Sequence, residues 1–229
     1  MKKWMLIIIT VSALFLNQSL AQMKDGTYVN GSYSGIKITT KNSQQQFVME
    51  VIGANGHMCD AEGIIQGDKG FVTDDSEATP CELSFKANGS RLNIETQNEV
   101  CRNYCGARAS LDGEYRMPPK LCEAKSITQQ RSQFKIAYDA KQYEKAENIL
   151  NRLLTQCDFY LYFEEKDSIK NDLALTLYHQ NKADLCLEIL NETIALDSDA
   201  YLPPADQMTY EKTEKAILFN YGLCQKKQR

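Results

Sequence analysis

The chain has 229 residues, with 30 acidic against 26 basic side chains and a formal net charge of −4. That balance argues against a nucleic-acid binder, which needs a basic stripe to neutralise phosphates. Eight cysteines without a C-x-x-C pair, and two histidines far apart, argue against a structural zinc site.

The first residues read as a secretory signal. Lys2 and Lys3 give a positive start, residues 4–16 are apolar, and Ser19-Leu20-Ala21 offers the small residues a signal peptidase reads. Cleavage is expected before Gln22. The apolar run is short for a membrane span, and no later segment is a better candidate. The residue after the cleavage point is Gln22 and not cysteine, so a bacterial lipid anchor is not expected, and without a second apolar span neither is stable membrane insertion. Removal of residues 1–21 takes away two lysines and no acid, which leaves a net charge of −6. All eight cysteines lie beyond the signal, and an even count in an exported chain implies four disulfides.

Residues 22–118 carry the signature of a small antiparallel β domain. Short alternating runs at 35–40, 46–52, 58–65, 70–73, 82–87 and 91–96 read as strands. Turn residues separate them, and Asn88-Gly89 between Leu83/Phe85 and Leu92/Ile94 is the clearest hairpin signal. A meander curled into a barrel or sandwich is expected, with cross-links compensating for a thin core. Composition then changes at Met117-Pro118-Pro119, because consecutive prolines fit neither a strand nor a helix interior. Residues 119–229 are glycine-poor, rich in Leu, Lys, Glu and Ala, and helical in period. The fold class expected is therefore segregated α+β.

The helical part repeats itself at an offset of 40 residues. Ile149-Leu150-Asn151 recurs as Ile189-Leu190-Asn191, Tyr138 as Tyr178, and Lys141, Tyr143 and Ala146 align with Asn181, Ala183 and Cys186. This resembles the tetratricopeptide repeat over residues 128–225, with 138–146 as the tight turn and small-residue position between two antiparallel helices. The resemblance implies a surface for a peptide or protein. It also places the start of the next repeat's first helix at Asn171-Asp172-Leu173-Ala174. Lys141 and Asn181 stand where that family has glycine, and the family's usual period is shorter. Tyr201-Leu202-Pro203-Pro204 breaks the pattern before a last helix at 208–225.

In the β domain, Cys101-Arg-Asn-Tyr-Cys105-Gly106 and the following residues to Gly113-Glu-Tyr115, after His57-Met-Cys59, resemble small exported bacterial β domains found with lysozyme-inhibitor-type proteins. That resemblance implies a bacterial periplasm. It transfers no inhibitory residue.

No catalytic constellation emerges, and no cofactor or metal site is expected. Gly31-Ser-Tyr-Ser-Gly35 lacks nucleophile-elbow spacing and reads as a turn into a strand. His57 beside Asp60 is the one candidate acid–base pair, and a structural or surface histidine is the plainer reading. His179 is expected to cap helix carbonyls, and Glu164-Glu165 to mark a helix start. Asp68, Asp74, Asp75 and Glu77 surround a hairpin and the loop after it; such an acidic loop can steer a basic partner. Sequons stand at Asn30, Asn88 and Asn191.

Chain geometry suggests disulfide partners. The Leu83–Ile94 hairpin brings Cys81 and Cys101 to one open end, which leaves Cys59 for Cys105, with Cys59–Cys81 the alternative. In antiparallel helices, Cys122 before the first meets Cys157 closing the second, and Cys186 early in the fourth meets Cys224 late in the fifth. The expected function is non-enzymatic binding of a protein or peptide, as an inhibitor, an immunity protein or an envelope-assembly adaptor. A periplasmic cell-wall enzyme is the lesser alternative. Composition leaves the oligomeric state open.

Overall fold

The computed structural model describes residues 23–31, 34–73 and 78–228. Strict alternation builds its first half. In β3 (Gln44–Ile52), Gln45, Phe47, Met49 and Val51 turn inward while Val48, Glu50 and Ile52 turn out. The same pleat runs through β2 (Ser34–Lys41), β4 (Met58–Gln66), β5 (Lys69–Val72), β6 (Glu82–Asn88) and β7 (Arg91–Thr96). Each strand pairs antiparallel with the next in sequence, and β1 (Gly26–Asn30) closes onto β8 (Gly113–Arg116). The result is a closed eight-stranded barrel, which leaves no free pair of edge strands. Its core holds Tyr28, Ile36, Ile38, Phe47, Met49, Leu83, Phe85, Leu92, Ile94 and Tyr115. Two glycines make room for it. A Cβ on Gly63 would lie 2.0 Å from the Phe71 carbonyl oxygen, and one on Gly70 would lie 2.1 Å from the Phe85 ring.

The six expected strands are all present within a residue or two. The strands that close the barrel, β1 and β8, are additions to that expectation. They are short, and each pairs with a strand that lies far away along the chain.

The second half is helical around its own core, which includes Phe134, Ala146, Leu150, Leu153, Leu173, Ala174, Leu177, Leu190 and Ile217. Helices α1 (Ala124–Asp139) and α2 (Tyr143–Cys157) form one hairpin; α3 (Phe163–His179) and α4 (Ala183–Asn191) form the next. The two turns are built alike. The Gln142 amide donates to the Ala137 carbonyl and Lys141 to Tyr138; Lys182 donates to Leu177 and Asn181 to Tyr178. Both are Schellman closures, and Lys141 and Asn181 occupy the left-handed position, at φ 59° and 62°. Small residues follow at the packing position: Ala146 and Cys186 are fully buried. Among the described residues, no helix is long and apolar enough to cross a membrane.

Two sequence expectations shift. Residues 171–174 lie in the middle of α3, which begins eight residues earlier at Phe163. The start is fixed by Glu165, whose carboxylate accepts the Tyr162 amide at 3.0 Å, and by Glu164 and Glu165 at the positive end of the helix dipole. The last helix, α5 (Pro204–Gln228), begins at the second proline of the break. Proline suits a first helical position, where its missing N–H would have no partner.

Four disulfides brace the two halves separately. Cys59–Cys105 and Cys81–Cys101 cross-link the barrel with Cα atoms 4.1 and 4.6 Å apart. Cys122–Cys157 ties the start of α1 to the end of α2, and Cys186–Cys224 ties α4 to α5, at 5.3 and 6.1 Å. These are the pairs chain geometry suggests, and the Cys59–Cys81 alternative is excluded. Four bridges mark an oxidising compartment and hence an exported chain.

The Schellman turns carry a stability prediction. Lys141 adopts a conformation that costs an L-residue about 1–2 kcal/mol, and glycine relieves it at some entropic cost. Lys141→Gly should therefore stabilise the chain by about 0.5–1 kcal/mol. Asn181→Gly should gain less, because asparagine tolerates this region. Urea midpoints of the two variants test the order.

Candidate functional site

The outward side of β3 and β4 is the part of the barrel wall that departs from an ordinary polar surface. Register sets Val48 opposite Glu62, Glu50 opposite Asp60, and Ile52 opposite Met58. Three of these six side chains are apolar and exposed: Val48 at 50%, Met58 at 45% and Ile52 at 37%. The other three are carboxylates, and none forms an ion pair among the described residues. Lys37, opposite Val48 on β2, makes no ion pair with them either. Acids directly opposed across a strand pair repel, so the wall holds an unfavourable charge arrangement in the free protein.

Part of the wall is hollowed into a cleft, and the wall is held from both ends. A cleft of about 740 Å³ is lined by Glu50, Asp60 and Glu62 together with Thr73 and Tyr104. The Gly106 amide donates to the Met58 carbonyl at 2.7 Å, the Thr73 amide to the Glu62 carbonyl at 3.0 Å, and Cys59–Cys105 anchors β4 between them. A cleft of mixed character on a cross-linked sheet suits recognition by a rigid surface.

A second hollow, of about 550 Å³, lies between the barrel rim and the helices. Arg108 and Asp112 line its barrel side; Phe159, Tyr162 and Lys166 line the other. Burial acts to raise the Asp112 carboxyl, but the Thr96 amide and the Ser110 and Thr96 hydroxyls donate to it and hold it below the ordinary aspartate range. Lys166 pairs with Asp158 at 2.9 Å. The polar groups here largely satisfy one another.

Two contacts flank this hollow and join the halves. The Arg116 guanidinium lies 3.8 Å from the Phe159 ring centre. Asn55, at φ 59°, accepts the Ala205 amide through its side chain at 3.1 Å, and its own amide donates to Asp206 at 3.1 Å. Asn55 thus caps the first turn of α5 from the barrel. Asn55→Ala should leave both halves folded but accelerate amide exchange at Ala205 about tenfold, the loss of one cap of about 1 kcal/mol or more.

The structure distributes the sequence candidates unevenly. Asp68 sits in the turn between β4 and β5. Asp74, Asp75 and Glu77 lie outside the described residues; Thr73, which precedes them, is on the rim of the acidic cleft. His57 rests against Gly106, where a Cβ would meet its Nδ1 at 2.7 Å, while Asp60 belongs to the outer wall of β4. No group of His, Cys, Asp and Glu among the described residues is arranged to hold a metal ion.

His179 differs from expectation. Backbone amides already satisfy the Leu177 and Tyr178 carbonyls, so no cap is needed. The ring instead stacks on Tyr143 at 5.0 Å and meets Tyr138 edge-on at 5.7 Å. Of Gly31-Ser-Tyr-Ser-Gly35, Ser32 and Tyr33 lie outside the described residues, and the segment links β1 to β2.

Glu50 and Glu62 were not singled out by motif, and Asp60 only as a neighbour of His57. The signal that could have found them was strand alternation combined with hairpin register, which puts all three on one face with Val48 and Met58. No protein-family model matches the chain, and neither a curated protein nor a solved structure matches it.

Proposed function

We propose that the chain is an exported, non-enzymatic protein-binding module. In its most concrete form it is an inhibitor or immunity protein that blocks a cell-wall hydrolase or secreted toxin in the bacterial periplasm. The observation that carries this reading is the β3–β4 wall, where exposed apolar side chains share one outward face with carboxylates that form no ion pair among the described residues. Binding offers a use for both, since it buries the first and neutralises the second. The helical half supports it as a tetratricopeptide-like pair of hairpins, with Lys141 and Asn181 at the turn positions that family gives to glycine. Stacked hairpins of this kind present extended surfaces to peptides and proteins.

Affinity capture from a periplasmic extract, with the oxidised chain as bait, tests the reading. The inhibitor form expects a captured hydrolase or toxin whose activity falls to zero at one equivalent of the chain. An envelope-assembly adaptor expects a captured protein that keeps its activity. Turnover of cell-wall material by the chain alone, abolished by His57→Ala, would replace both with an enzyme.

A further inference from the structure

We infer that the outer face of β3 and β4 docks a cationic protein surface, one that presents an arginine or lysine among apolar side chains. The inference rests on the binding function proposed above and names the chemistry of its partner. Three exposed apolar residues scattered over a surface need no explanation. Here, however, Ile52 and Met58 are direct cross-strand neighbours, and Val48 stands on the same face of the sheet. Between them lie Glu50 and Asp60, also in direct register, with Glu62 beside Asp60 on β4.

Side chains opposed in this way are roughly 5 Å apart at Cβ, a span that one guanidinium bridges by donating to both carboxylates. The flanking Val48, Ile52 and Met58 would cover the aliphatic stem of that side chain. An acidic or neutral partner would bury the carboxylates unpaired, which is strongly unfavourable. Charge complementarity therefore selects a basic partner.

Site-directed photocrosslinking in cells that export the full chain tests the inference. The crosslinker p-benzoylphenylalanine is placed at position 48 on this face and, as a control, at position 136, where Ile136 is 67% exposed on α1. The expected result is an adduct from position 48 alone, with a protein of basic isoelectric point. The pair Glu50→Gln and Asp60→Asn keeps the shape of both side chains and should cut that adduct roughly tenfold; Glu62→Gln alone should cut it less. Unchanged circular dichroism and disulfide maps certify that these variants are folded. An adduct with an acidic protein, an adduct between two copies of the chain, or an adduct indifferent to the amide substitutions would overturn the inference. Adducts from position 136 but not 48 would overturn it while leaving the binding function standing. Adducts from neither position would contradict both.

Discussion

Complete reduction should unfold the chain. The four bridges close loops of 46, 20, 35 and 38 residues, and loop-closure entropy assigns each about 3–4 kcal/mol. Their sum, on the order of 12–16 kcal/mol, is as large as the whole stability of an ordinary domain, about 5–15 kcal/mol. Each half holds two of the bridges, so each loses about 6–8 kcal/mol, within the range of a whole domain's stability. Urea unfolding followed by circular dichroism, with and without thiol reductant, measures it. The oxidised chain should show a cooperative transition and the reduced chain none. Opening Cys122–Cys157 alone, as Cys122→Ser with Cys157→Ser, should cost about 3–4 kcal/mol and release α1 from α2. A reduced chain that keeps its transition would mean that the cores, and not the bridges, hold the fold.

Asp167→Ala should be among the most damaging single substitutions in the helical half. Asp167 is buried at 3% exposure on α3. Its Oδ2 accepts the Tyr210 hydroxyl at 2.5 Å and the Ile194 amide at 2.8 Å, while the Tyr210 oxygen accepts the Ala195 amide at 3.0 Å. One carboxylate thus fastens the 3-10 turn at Ile194–Leu196 and the buried ring of α5 to α3. Burial and the Asp167 carboxylate together push the Tyr210 phenol far above its ordinary range, so it remains a donor at any working pH. Removing Asp167 orphans the buried Tyr210 hydroxyl and the partly buried Ile194 amide, at a cost of about 3 kcal/mol. Tyr210→Phe removes the hydroxyl alone and should cost about 1–2 kcal/mol. The double variant should lose less than the sum, because both changes break one network. A loss below about 1 kcal/mol for Asp167→Ala would show that water replaces these bonds.

The sequence was most legible where a local rule fixed the outcome. Alternation placed six strands, Asn88-Gly89 marked its hairpin, and the offset of 40 exposed two hairpins with the same turn. The disulfide partners followed because antiparallel pairing brings cysteines at opposite ends of adjacent elements together. Barrel closure was not legible: β8 has four residues, one of them the buried Tyr115, and β1 has five. Nothing local shows that Val29 lies opposite Arg116. The role of His179 was hidden for a similar reason. A ring at a helix end reads as a cap until tertiary packing brings Tyr143 against it. The acidic wall needed register as well as alternation, since Glu50 and Asp60 become neighbours only when the two strands are aligned. The acids at 68–77 stand close together in sequence, whereas those of the wall are adjacent only in space.

Calorimetric titration of the oxidised chain into its captured partner tests the central claim, that this molecule acts by occupying another protein. The account predicts one saturable site at 1:1 stoichiometry, with a negative heat-capacity change from burial of apolar surface, and with both chains recovered chemically intact. No binding heat at any temperature, or a partner recovered in altered covalent form, would contradict it.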